Sequence, residues 1–177
     1  MSEWMKADVE EGTCFVTLTV VSWVDVFIRP EYCAVVFESL EFCRKHKDLE
    51  VFEYALMPSH LHMIVRRKKG LLSDVLRDFK SFTAKKLLAA IEGNDRESRK
   101  EWMMAMFRDH GRRSAQNTDL MFWQKTNHPE LLQTPAFYLQ KAQYIRNNPV
   151  VMGLVTEPDH YAWSSAHPQA PLTTDEA

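Results

Sequence analysis

The chain has 177 residues, 45% hydrophobic and 26% charged, with 5 Gly, 8 Pro and a formal net charge of -2. A chain of that length and balance folds as one domain that buries about two thirds of its unfolded surface, which excludes a disordered chain, a fibrous repeat and a disulfide-dependent miniprotein. Its longest apolar stretch, residues 15–28, is interrupted by Thr17, Thr19, Ser22 and Asp25 and falls short of the roughly 20 apolar residues of a membrane span.

Residues 13–21, rich in Val, Thr and Phe with partial alternation, predict a strand. Pro30 suits the first turn of a helix, Glu31 adds favourable charge there, and Val35, Val36, Leu40 and Cys43 recur at helical spacing to about residue 47. Residues 49–57 predict a second strand and 60–66 a third. The tight Pro58-Ser59 connection between them requires antiparallel pairing, because so short a connection cannot cross over. Residues 71–90 carry Leu72, Val75, Leu76, Phe79, Phe82 and Leu87 on one side and predict a long helix. Residues 96–107 predict a Met-rich helix, 111–118 a polar loop, and the aromatic segment 120–125 a final strand. A helix beginning at Thr134-Pro135 is expected to end near Asn148, since Pro149 disfavours helical geometry in the residue before it.

The order βαββαβα predicts an α+β fold, a ferredoxin-like βαββαβ sandwich whose antiparallel sheet carries helices on one face, with an additional C-terminal helix. One domain is expected over residues 1–168, with 169–177, small, polar or acidic, forming a frayed tail. The first residues lack a basic flank followed by an apolar run, so no secretory signal is expected and cytoplasm is the default. Cys14, Cys33 and Cys43, odd in number and widely spaced, read as reduced core residues.

The net charge conceals a division. Residues 66–113 hold 14 Lys plus Arg against 7 Asp plus Glu, while the rest of the chain holds 8 against 17. Paired charges on solvated helices account for part of this, but the run Arg66, Arg67, Lys68, Lys69 repels itself unless an anion is near.

Two motifs carry chemistry. In a strand, His60 and His62 stand on the same face and form half of a metal site, or else two polar residues facing solvent. The apolar neighbours Leu61, Met63 and Ile64 favour an interior strand, where unpaired imidazoles are costly. On the last predicted helix, Tyr144 and Asn148 are neighbours at i and i+4, with Gln140 on the same face as a reserve for the amide; a half-buried tyrosine packed on the sheet is the structural alternative.

Together, Met57-Pro58-Ser59-His60-Leu61-His62 and Tyr144-Ile145-Arg146-Asn147-Asn148-Pro149-Val150 resemble the HUH-type single-tyrosine transposases of insertion sequences, and especially the REP-associated tyrosine transposases. The similarity spans about residues 12–166 and includes Phe79-Lys80-Ser81-Phe82-Thr83, Phe122-Trp123-Gln124, Asn127-His128-Pro129 and Tyr161-Ala162-Trp163-Ser164-Ser165-Ala166. Ser59 departs from the Asn usual in the family; either residue caps a turn.

The resemblance implies metal-dependent cleavage and rejoining of hairpin-bearing single-stranded DNA. Tyr144 would attack the scissile phosphate and form a 5′-phosphotyrosine, while His60, His62 and Asn148 would hold Mg or Mn. A phenol with a pKa near 10 is only about one part in a thousand ionised at neutral pH, so a nearby cation assists it. Insertion-sequence members are typically homodimers, whereas REP-associated relatives need not be. Arg66, Arg67, Lys68, Lys69, Arg77, Lys80, Lys85 and Lys86 are the candidate phosphate contacts, Lys69 and Lys80 first if the long helix follows the cleft. Trp123, Phe122 or His128 could stack a base, though aromatics of a final strand belong more often to the core. The alternative functions are an inactive hairpin-binding module of the same fold and a His-x-His phosphodiesterase without a protein-bound intermediate.

Overall fold

A computed structural model describes residues 12–114 and 119–176. In chain order its elements are β1 (Cys14–Thr19), α1 (Pro30–His46), β2 (Leu49–Leu56), β3 (His60–Arg67), α2 (Leu72–Glu92), α3 (Lys100–Arg113), β4 (Glu130–Leu131) and α4 (Pro135–Val151), with single 3-10 turns at Val21–Trp23 and Pro158–His160. The strands form one antiparallel sheet in the order β2-β3-β1-β4. The β2–β3 hairpin closes through Pro58 and Ser59, with the Met57 N–H donating to the His60 carbonyl at 2.7 Å.

Side chains alternate across the sheet. Val16, Leu18, Leu61, Met63, Val51, Tyr54 and Leu56 turn to one face and pack with α1, α2 and α3 in the main core, which also takes Cys14, Cys33 and Cys43 as free, buried thiols. Phe15, Ala55 and Ile64 turn to the other face and pack with Ala142 and Ile145 of α4 in a smaller core. Helices therefore cover both faces, and α4 has its own side of the sheet. A register shift between Val51 and Glu53 leaves Phe52 as an extra residue, so Phe52 and Glu53 both face α4. The outer edge of β2 is covered by residues 161–167: the Leu56 N–H donates to the Trp163 carbonyl, and the Ser165 N–H to the Tyr54 carbonyl, both at 2.9 Å.

The structure corrects five expectations. The aromatic segment 120–125 is no strand: Phe122 and Trp123 both turn into the main core with ring centroids 4.9 Å apart, which breaks the alternation a strand needs. Only Trp123 bridges to Val20, and β1 pairs at its outer edge with Glu130 and Leu131 instead. Helix α3 starts later and ends later than expected, so Gly111 to Arg113 belong to the helix; residues 115–118 of the expected loop lie outside the described residues.

Helix α4 runs through Pro149 to Val151. Its end is set by Gly153, whose φ of +71° lets its N–H reach the Val150 carbonyl and the Leu154 N–H reach the Pro149 carbonyl, both at 2.9 Å. That closing motif satisfies the last carbonyls and leaves the proline in the final turn. The segment expected to fray is docked: Leu172 is buried, Tyr54 Oη donates to the Leu172 carbonyl at 2.9 Å, and Asp175 joins the Arg44 guanidinium and the Val51 N–H. Phe82, expected on the buried side of α2, is exposed beneath the Lys86 ammonium.

Candidate functional site

The site lies on the α4 face of the sheet. His60 and His62 are both 5% exposed, with ring centroids 4.6 Å apart. Each imidazole is held at Nδ1. His62 Nδ1 lies 2.8 Å from Thr17 Oγ1, its register partner on β1, and His60 Nδ1 lies 3.2 Å from Ser59 Oγ. The tautomer that donates from Nδ1 leaves the Nε2 lone pair for a cation. Burial pushes the His60 pKa down to about 4; burial, then the neighbouring His60 and Lys141 charges, push His62 to about 3. At neutral pH both rings are uncharged, the state a metal ligand needs.

Tyr144 is 48% exposed and sets its ring edge-on against His62, centroids 5.2 Å apart at 71°. Asn148, one turn further along α4, is buried, and its Oδ1 has no hydrogen-bond partner among the described residues. A buried acceptor left unmatched is costly, and by residue type two neutral imidazoles and a carboxamide oxygen make a donor set that fits a divalent ion. Gln140, the reserve ligand, is exposed. Among the described residues no group of three His, Cys, Asp or Glu could hold a metal, so a site here needs the amide.

Three contacts that the motifs did not announce build the site. Phe15, buried on β1, stacks on His62 at 5.5 Å and meets the Tyr144 ring edge-on at 5.9 Å, wedging the two into their mutual position. The Lys141 ammonium lies 4.4 Å over Phe15 and 2.6 Å from Glu130 Oε1. Arg146 pairs with the buried Glu53, which Ser165 Oγ also reaches at 2.7 Å, and this ties α4 to β2. Phe15 and Thr17 share a face by strand alternation, a signal legible in sequence only once the register with β3 is known.

The structure does not gather the candidate phosphate contacts around this site. Arg66 begins four residues, about 13 Å, beyond His62 along the strand. Its guanidinium pairs with Glu50, as does Lys68, and Arg67 reaches the Leu71 carbonyl. Helix α2 lies across the sheet from α4, so Arg77, Lys80, Lys85 and Lys86 stand away from the histidines; Arg77 pairs with Asp74 and Asp78. Lys80 is the clearest correction. Its ammonium donates to the Gln124 carbonyl, the Lys125 carbonyl and Asn127 Oδ1 at 2.6, 3.0 and 2.8 Å, and burial lowers its pKa to about 8. It fastens a loop and is turned away from solvent anions. Lys69 and Lys85 are exposed. Phe122 and Trp123 are core residues, unavailable to a base.

No family model matches the sequence, and no curated protein does. Among solved structures, a REP-associated tyrosine transposase bound to a REP hairpin is similar over 93% of this chain and 82% of that one, with a TM-score of 0.64 at 17% sequence identity. The likeness is one of fold, a mixed α/β architecture around a four-stranded antiparallel sheet.

Proposed function

We propose that the protein cleaves and rejoins hairpin-bearing single-stranded DNA through Tyr144 on a ferredoxin-like scaffold. The observation that carries this reading is the edge contact of the half-exposed Tyr144 ring with His62, whose imidazole is buried and packs against that of His60; the orphaned oxygen of Asn148, one turn further along the same helix, supports it. The hairpin-bound transposase of similar fold supports the choice of substrate.

Tyr144 Oη attacks the phosphorus of a phosphodiester, the P–O3′ bond breaks, the phenolic proton passes to solvent and the leaving oxygen takes up a proton. The 5′-phosphotyrosine so formed conserves the bond energy, and attack by another 3′ hydroxyl reverses the step without a nucleotide cofactor. His60, His62 and Asn148 would hold the divalent ion, Mg or Mn, which when bound neutralises phosphate charge as a Lewis acid. Phe15 and Thr17 keep the imidazole and the phenol in register while the half-exposed Tyr144 ring remains open to a strand. Among the described residues no helix is long and apolar enough to cross a membrane.

Incubation with a hairpin-bearing single strand and Mn is expected to give an SDS-resistant protein–DNA adduct that Tyr144→Phe cannot form. Hairpin binding that survives EDTA, with no adduct under any metal, would replace the enzyme by a binding module. An adduct formed by Tyr144→Phe would displace the nucleophile.

A further inference from the structure

The turn between β1 and α1 holds Trp23 in a way that packing does not explain. Val21 and Val24 on either side of it are buried, yet Trp23 is 58% exposed. Ser22 and Trp23 both take the left-handed backbone conformation, with φ of 53° and 54°. Residues bearing a Cβ seldom adopt it, two in succession less often, and such strain persists only where its surroundings impose it. Here they do. The Val20 N–H donates to the Ser59 carbonyl and the Val21 N–H to the Phe122 carbonyl, both at 2.9 Å, the Trp23 N–H returns to the Val20 carbonyl at 3.0 Å, and Ser22 Oγ lies 2.7 Å from His110 Nε2 of α3.

The result is an indole directed outward and set edge-on to His60, centroids 5.2 Å apart at 73°. It flanks the imidazole pair on the His60 side, as Tyr144 does on the His62 side. The clamping helix α3 ends in His110, Arg112 and Arg113, of which Arg113 pairs with Asp109 at 3.0 Å.

We propose that Trp23 is a stacking platform for one unpaired nucleobase of the strand being cut, next to the scissile phosphate; the inference rests on the proposed function and adds to it a positioning subsite. A duplex base is already stacked on both sides, whereas a base in a single-stranded flank offers a bare π-face. Stacking on an aromatic ring tolerates any sequence, so the subsite fixes where the strand lies and leaves hairpin choice to other contacts. The contact with His60 sets the distance between the stacked base and the reacting phosphate.

The test measures binding of a fluorescently labelled hairpin-bearing single strand at fixed salt to the wild type, Trp23→Ala and Trp23→Phe, with single abasic sites placed in turn along the unpaired flank. Trp23→Ala is expected to bind about 5- to 150-fold more weakly, Trp23→Phe to recover most of the loss, and all three to unfold at the same temperature. One abasic position is expected to weaken the wild type by a similar factor and to have no further effect in Trp23→Ala. If Trp23→Ala binds as the wild type does, or the abasic penalty persists in it undiminished, the stacking role is overturned while the nuclease reading stands. If the wild type binds no hairpin strand at all, both fall together.

Discussion

Thr17 and His62 are register partners on β1 and β3, and their side chains meet at 2.8 Å between Oγ1 and Nδ1. The contact holds the imidazole ring in place, and in the tautomer that donates from Nδ1 to the hydroxyl it leaves Nε2 unprotonated. Thr17→Val preserves the branched shape and removes only the oxygen. Mn affinity, read by paramagnetic resonance titration, is expected to fall about 10- to 100-fold, as it does when the hydrogen-bond partner of a metal-binding histidine is lost. Urea unfolding is expected to show a loss of about 1 kcal/mol. Unchanged Mn affinity would mean that Phe15 alone orients His62.

The two imidazoles also make stability depend on pH. Their native pKa values, about 4 and 3, lie below the unfolded value near 6.5. Their contribution is therefore complete above about pH 6.5, where both states are neutral, and is lost as pH falls toward 4 and then 3, because the unfolded chain takes up protons first. Each imidazole contributes a slope of roughly 1.4 kcal/mol per pH unit once the pH is well below 6.5. Carboxylates remain ionised down to about pH 5, so the window between 7 and 5 belongs to the histidines. Urea midpoints across that window are expected to fall in the wild type and to stay flatter in a His60→Gln, His62→Gln double variant. Equal slopes in the two proteins would place the rings in contact with water.

Lys80 offers a different separation, between holding structure and holding DNA. Its three bonds to residues 124–127 lie just beyond Trp123, whose indole N–H donates to Thr83 Oγ1 at 2.9 Å. The Asn127 carbonyl in turn accepts the Thr17 N–H at 2.9 Å, so the loop borders the strand that positions His62. Lys80→Met is expected to cost about 2 kcal/mol in urea unfolding. The salt dependence of hairpin binding, which counts cations on phosphates, is expected to keep its slope. A slope shallower by about one would return Lys80 to the list of phosphate contacts.

Much of this site was legible in the chain itself because its spacing rules are local. Alternation along a strand predicts that His60 and His62 share a face, and the helical repeat predicts that Tyr144 and Asn148 share another. What local rules cannot supply is register. Phe15 and Thr17 became visible only through the pairing of β1 with β3, and Glu53 only through the register shift that turns it toward Arg146. The basic segment misled for the same reason: a run such as Arg66, Arg67, Lys68 reads as unbalanced until Glu50 arrives from the neighbouring strand. At 122–123 the aromatic composition of a strand was present without its alternation, and composition alone could not separate a ladder from two side chains turned into one core. Pro149 illustrates a local rule overridden by another, since Gly153 closes the helix three residues after the last position expected for it.

The docked segment 169–176 gives the remaining prediction. Leu172 belongs to the main core, and both the N–H and the carbonyl of that residue engage Tyr54 Oη, at 3.0 and 2.9 Å. Asp175 receives two bonds from Arg44, at 3.1 and 2.9 Å, and accepts the Val51 N–H at 2.8 Å. Deleting residues 169–177 exposes an apolar pocket and leaves the buried Tyr54 hydroxyl without its partners. Set against the entropy regained by eight ordered residues, a net loss of about 2–4 kcal/mol is expected in urea unfolding. Leu172→Ala is expected to reproduce about half of it, which distinguishes packing from the ion pair. The segment lies on the α1 and α2 side of the sheet, whereas the histidines and Tyr144 lie on the α4 side. At temperatures where the truncated chain remains folded, adduct formation is therefore expected to proceed at the full-length rate, and a truncated protein that is folded yet forms no adduct would show that the two faces of the sheet are coupled.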